Sequence, residues 1–166
     1  KSCKKKTYHY QLIFTERVGD GSSDYELFTK KEIVKIKKIL QNYDSYENNF
    51  NSKSLVIEHK FPEIRWDEEV IKMKKEKLKE LNEKYIIDSF QLMNNQRNQQ
   101  KREVCRRCYQ KNIRGFPFGI KFFYHGNEMW NTKIPKKGKN AEKGCFGCGW
   151  YDLKKWREEL DNFLND

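Results

Sequence analysis

Two Cys-x-x-Cys pairs, Cys105/Cys108 and Cys145/Cys148, constrain this chain more than any other feature. A two-residue spacer lets both sulfurs of a pair reach one ion. Two such pairs separated by a folded stretch match a tetrahedral four-thiolate zinc site. Gly147 and Gly149 suit a tight turn around the second pair. Arg106, Arg107 and Lys111 beside the first pair are expected to favour thiolate over thiol. Four thiolates leave no open position on the metal, so the expected Zn²⁺ is structural, not catalytic. The fifth cysteine, Cys3, reads as a free surface thiol. An odd count with paired knuckles argues for a metal in a reducing compartment and against a disulfide framework.

The 166 residues suffice for one compact domain or two small ones. A net charge of +11 with 14% aromatics separates the chain from disordered basic tails, which lack aromatics. A folded, basic, aromatic-rich domain suits a polyanion, most often nucleic acid. A Lys-rich soluble protein from an AT-rich genome would carry the same composition. No apolar run approaches the ~18 residues of a membrane helix, and no signal-peptide core follows Lys1, so no membrane partner is expected. The first residue is Lys, and the sequence is expected to be part of a longer chain.

Taken in order, Tyr8, Tyr10, Leu12 and Phe14 alternate as a strand, and Tyr25–Phe28 can return beside it across the Gly19–Ser23 loop. His9 reads as an ordinary strand residue. Thr29-Lys30-Lys31-Glu32 is a capping box that starts a helix over 30–41. Asn42–Ser54 is a loop. Leu55–Lys60 is a strand stopped by Pro62. Asp67 caps a helix to about Lys84 with Val70, Leu78 and Leu81 inward. Ile86–Met93 predicts a second strand and Asn95–Cys108 a polar helix. Phe118–Tyr124 and Glu128–Thr132 predict a hairpin across His125-Gly126-Asn127. Lys133–Lys143 is a basic loop. Asp152 caps a last helix whose stripe of Trp156, Leu160, Phe163 and Leu164 is assigned to the core. The mixture predicts an α+β fold, divided into an N-terminal hairpin and helix (1–54) and a main unit (55–166).

The chemistry lies between Leu55 and Cys108. The Glu58 carboxylate and the Asn98 carboxamide are hard oxygen donors suited to Mg²⁺ or Mn²⁺. The His59 imidazole beside such an ion can take a proton from a water that attacks a phosphodiester. Adjacent strand residues face opposite ways, so Glu58 and His59 share a site only if the strand bends, as Pro62 favours.

Ile57-Glu58-His59, then Phe90-Gln91-Leu92-Met93, then Asn98 with Lys101-Arg102 and a Cys-x-x-Cys, resembles the HNH (ββα-metal) nuclease motif. The run Glu58-His59-Lys60-Phe61-Pro62-Glu63-Ile64-Arg65-Trp66 narrows the resemblance to the HNH domains of bacterial type II restriction endonucleases. The resemblance implies a ββα-metal core flanked by hairpins and helices. It implies His59 as general base and Glu58 and Asn98 as metal ligands. The middle motif position, which orients the base, falls on Ser89 and departs from asparagine, with Asp88 and Asn95 as alternatives. Arg65, Lys101 and Arg102 are implied phosphate contacts. The resemblance also implies double-stranded DNA as substrate, sequence-specific cleavage, a bacterial cytoplasmic setting, and a dimer or two successive nicks for a double-strand cut. Bases could be read by either predicted hairpin or by a segment outside this sequence. The rivals are a non-catalytic zinc-ribbon module that binds nucleic acid, and an HNH nicking enzyme of the homing or phage type.

Overall fold

The computed structural model describes residues 28–50 and 54–165. The predicted hairpin from Tyr8 to Phe28 lies, apart from Phe28, outside those residues, as do His9 and Cys3. Helix α1 (Lys30–Ile39) starts as its first turn dictates. The Thr29 hydroxyl accepts the Glu32 amide at 3.3 Å and the Glu32 carboxylate accepts the Thr29 amide at 2.6 Å. Beyond α1 the chain reverses through Gln41 and Asn42, both left-handed. It then wraps fully buried Asp44, whose Oδ1 accepts the amides of Tyr46 and Glu47.

Strand β1 (Leu55–His59) pairs antiparallel with β2 (Phe90–Asn94), with Leu55 opposite Asn94, Glu58 opposite Gln91 and His59 opposite Phe90. Between them stand α2 (Glu68–Leu78) and α3 (Glu83–Ser89). Here the structure departs from the sequence reading in two ways. The helix expected to reach Lys84 stops at Leu78, because Asn82 Oδ1 accepts the Tyr85 amide at 2.8 Å and starts a new helix. The strand expected from Ile86 is helical through Ser89, and β2 begins only at Phe90. A short apolar run fits either state. The helical turn buries Ile86 against Ile36, Leu81 and Phe90 while leaving Ile87 outside.

Helix α4 (Asn95–Lys111) is capped by Asn94 Oδ1 on the Arg97 amide at 2.9 Å. It runs three residues beyond Cys108 and ends on left-handed Asn112. The predicted hairpin over 118–132 is absent among the described residues; a single bridge joins Ile113 to Met129. Side chains have claimed the backbone there. Trp156 Nε1 donates to the Phe122 carbonyl at 3.0 Å. Arg114 Nη1 donates to the carbonyls of His125 and Asn127 at 3.0 Å, and Arg114 Nη2 to that of Phe146. Helix α5 (Leu153–Asn165) begins where Asp152 Oδ1 accepts the Lys155 amide at 3.1 Å. Its stripe is core only in the first half: Leu153 and Trp156 are buried, whereas Phe163 and Leu164 stand at 66% and 70% exposure.

The chain is thus an α+β protein, with helices packed around a two-stranded sheet. One core joins α1 to α3 and β2, and a second sets Tyr46 and Met93 against Trp150 and Leu153. A third gathers Phe61, Trp66, Val70 and Trp130 with Cys108 and Cys145. Among the described residues no helix is long and apolar enough to cross a membrane.

Candidate functional site

The end of β1 is enclosed on both faces. Glu58 (6% exposed) and His59 (5%) alternate as neighbours in a strand must, yet each finds a covered environment. Glu58 faces α4, where Lys101, fully buried, places Nζ 3.1 Å from Oε1. Lys101 Nζ also donates to the carbonyl of His59 and, at 3.3 Å, to that of Lys60. The ammonium therefore ties the strand end to the helix through three acceptors. Asn98 lies one turn before Lys101 on the same face. Its side chain is buried, and Oδ1 has no hydrogen-bond partner. A buried, orphaned carbonyl oxygen is costly unless something unlike protein fills the gap.

The His59 ring sits among aromatics. Trp66 meets it edge-on at 4.7 Å between centroids, Phe90 lies at 4.9 Å and Phe28 at 6.1 Å. Its Nδ1 faces the Glu63 carboxylate at 3.6 Å, an ion-pair rather than a hydrogen-bond distance. Glu63 opens the 3₁₀ turn Glu63–Arg65, into which Pro62 directs the chain. Burial alone would raise the Glu63 carboxyl, but His59, then Arg102 and Lys101, outweigh it and hold it below the usual range. Glu63 received no role in the sequence reading; its only signal is an acidic residue four positions after His59 across a proline.

Ser89 ends α3, and its carbonyl accepts the amide of Lys60, one residue beyond His59, at 2.8 Å. Of the alternatives for the orienting position, Asp88 pairs with Lys84 at 2.9 Å on the open side of α3, and Asn95 is exposed.

The three cations assigned to phosphate part ways. Arg65 is 1% exposed, stacks over Trp130 at 3.7 Å and donates to Cys108 Sγ at 3.2 Å and to the Lys136 carbonyl at 3.1 Å. Lys101 is engaged by Glu58. Both are interior, because their partners are supplied within the fold. Arg102 alone of the three reaches the surface, with its side chain 62% exposed and Nη2 3.5 Å from Glu63.

All four knuckle cysteines line one small cavity of about 20 Å³, with Arg65, Arg114, Trp130 and Trp150. All four are free thiols. Two come from the C-terminal half of α4, and two follow the 3₁₀ turn Lys139–Gly144. Gly147 turns the second knuckle with φ of 81°, and a Cβ there would lie 2.2 Å from the His125 carbonyl oxygen. Gly149 serves packing instead, since a Cβ would strike Pro117 at 2.7 Å and Trp156 at 2.9 Å. The expected pull of Arg106 and Arg107 on the thiols is not realised. Both turn outward to Glu103, at 2.6 and 3.6 Å. Burial dominates: it pushes the Cys105 thiol up to about 12 against the nearby Lys101, and raises Cys108 and Cys145 despite Arg65. Among the described residues no three His, Cys, Asp or Glu side chains converge as a metal-binding group.

Buried polar ties connect the two parts of the site. Gln91, opposite Glu58, donates to the Trp150 and Tyr151 carbonyls at 3.4 and 3.3 Å, and accepts the Leu153 amide at 3.3 Å. Lys60 Nζ pairs with Asp152 at 2.5 Å. The start of α5 is thereby anchored to the strand pair that carries His59. No protein-family model, curated protein or solved structure matches the chain.

Proposed function

We propose that this chain is a metal-dependent endonuclease of the HNH type that hydrolyses phosphodiester bonds in double-stranded DNA, in the manner of a type II restriction enzyme. The observation that carries the reading is Asn98 Oδ1, buried and unpartnered, on the helix face that covers Glu58. Glu58 and Asn98 are two oxygen donors of the kind a Mg²⁺ or Mn²⁺ ion takes, and Glu58 is next in sequence to the His59 imidazole. Glu58 and Asn98 would hold the ion, whose charge offsets that on the phosphate and leaving oxygen. His59 accepts the proton of the attacking water. Lys101 fixes the Glu58 carboxylate, and exposed Arg102 meets the DNA backbone. The four cysteines around one cavity, drawn from two distant segments, are the donor set of a structural Zn²⁺ that would fasten α4 to the segment before α5. A single such site cuts one strand, so a double-strand break calls for two copies or two visits.

Supercoiled plasmid tests this. The zinc-loaded protein should nick with Mg²⁺ or Mn²⁺ and not without. His59→Ala should lose on the order of 10²–10⁴ in rate. Nicking by His59→Ala at the wild-type rate would sink the mechanism. Metal analysis should return about one zinc per chain.

A second reading draws on the enclosure of His59 and the occupation of Glu58 by Lys101. Such closed surroundings suit a non-catalytic nucleic-acid-binding module. DNA binding by the wild type with no nicking under either ion would favour it.

A further inference from the structure

We propose that the outer half of α5 and the groove beside it form the surface on which two copies of this chain pair, with their α5 helices antiparallel. The apolar stripe of α5 outlasts the core it serves. Leu153 and Trp156 are buried, but Phe163 and Leu164 further along are mostly bare. Phe163 lines a groove of about 830 Å³ together with Phe122, Tyr124 and Met129. Its ring meets Phe122 at 5.4 Å between centroids, yet most of its surface stays open, and Met129 is 57% exposed. Exposed apolar side chains gathered along one groove mark a place of association.

The charges of α5 favour a second copy as the occupant. The helix starts with Lys154 and Lys155 and has no acid in its first turn and no base in its last. Glu158, Glu159 and Asp161 follow the basic start. That start runs against the helix dipole, which favours acids there. Nothing in the chain offsets it: among the described residues none of these five side chains enters an ion pair, although Lys154 and Glu158, and Lys155 and Glu159, are spaced four apart. Turned end for end, the same order complements itself. The basic start of one helix lies along the acidic run of the other, whereas a parallel pairing sets like charges together. A uniformly acidic partner such as nucleic acid would be repelled by the acidic run. A two-fold axis presents the same patch on both partners, so each copy's Phe163 and Leu164 cover the groove of the other. The pairing does not depend on the nuclease reading, but its use does. Lys60 pairs with Asp152 just before α5, and Gln91 Oε1 accepts the Leu153 amide at 3.3 Å, which fixes the helix to the strand pair bearing His59. Two chains joined through α5 hold two cleavage sites in one set orientation, as a double-strand break requires.

The test is sedimentation equilibrium of the intact, zinc-loaded chain over about 1–100 μM, which reaches the weak end of ordinary interfaces. The wild type should be dimeric within that range, and less so at high salt. Phe163→Glu should weaken the dimer on the order of 30–1,000-fold, as loss of an interface hot spot does. Its monomer should melt as the wild-type monomer does, because the side chain is 66% exposed. Lys154→Glu with Lys155→Glu, and Glu158→Lys with Glu159→Lys, should each dimerise more weakly alone and form a mixed dimer when combined. Rescue by mixing guards against variants that simply fail to fold. On supercoiled plasmid, Phe163→Glu should still nick single strands but lose linear product. A wild type monomeric throughout the range, or a dimer untouched by Phe163→Glu and by both charge reversals, would overturn the pairing and leave the nuclease reading standing. Charge-reversed chains that do not pair with one another would overturn the antiparallel order. A dimer that responds as expected but never nicks sinks the nuclease reading and leaves the pairing in place.

Discussion

Lys101 shows how much one side chain can change its meaning between sequence and structure. Lysine is among the residues least often buried without a partner. In sequence it reads as a phosphate contact. In the fold it is the cation that compensates Glu58 and two carbonyls at the end of β1. Removing it strands a carboxylate in the interior. Lys101→Met is expected to destabilise the protein by about 3–5 kcal/mol in urea denaturation, and pairing it with Glu58→Gln should restore most of that. A single variant that unfolds no earlier than the wild type would refute the pairing. Glu58, His59, Asn98 and the four paired cysteines stand out in the sequence because residue type and spacing suggest their chemistry; the fold buries the first three and sets the cysteines around one cavity. The inward turn of Arg65 and the placing of Glu63 near His59 were not legible, because which charged residue turns inward depends on partners far along the chain. Arg65 finds its partners in Cys108, Trp130 and Lys136.

At the scale of elements, what was legible is what local chemistry decides. The Thr29–Glu32 box set the start of α1, and Asp67 set that of α2 by accepting the Val70 amide at 2.9 Å. Asn82 exerts the same kind of control but was read as interior to a longer helix. Its carboxamide cap should matter accordingly. Asn82→Ala should cost about 0.5–2 kcal/mol, and Asn82→Asp or Asn82→Ser should cost little, as read from denaturation midpoints. Equal losses for all three would show that the cap is not what divides α2 from α3. The stretch from Asn112 to Asp152 was illegible for a different reason. Its alternation of Phe118, Ile120, Phe122 and Tyr124 is a genuine strand pattern. The Phe122 carbonyl is instead held by Trp156, 34 residues away, and the carbonyls of His125 and Asn127 at the expected turn are held by Arg114. No local rule sees such competition.

At the scale of the whole molecule, α4 is one uninterrupted helix of 17 residues that serves both halves of the proposed machinery. Asn98 and Lys101 occupy its buried face near one end, and Cys105 and Cys108 its other end, about 10 Å further along at 1.5 Å per residue. The same rod is pinned from outside the motif by Arg65 and by the segment bearing Cys145 and Cys148. Cys145→Ser should therefore lower thermal stability even though it lies over 80 residues from His59 in sequence. The α+β character of the chain was readable. The burial of thiols and cations together at their meeting point was not, because it arises from three segments closing on one another.

That shared helix has a consequence for how the protein would lose activity when metal is withdrawn. Chelation should act on two clocks. Loss of the divalent ion from a site with only two protein oxygen ligands should stop nicking at once, and added Mg²⁺ should restore it. Loss of zinc from a closed thiolate site should be slow, and it should release the rod itself. Late inactivation should then follow the decay of helical circular dichroism and respond to zinc but not to magnesium. A single reversible phase with no change in helicity would mean that the two ends of α4 are energetically separate, and that one beam is not carrying both loads.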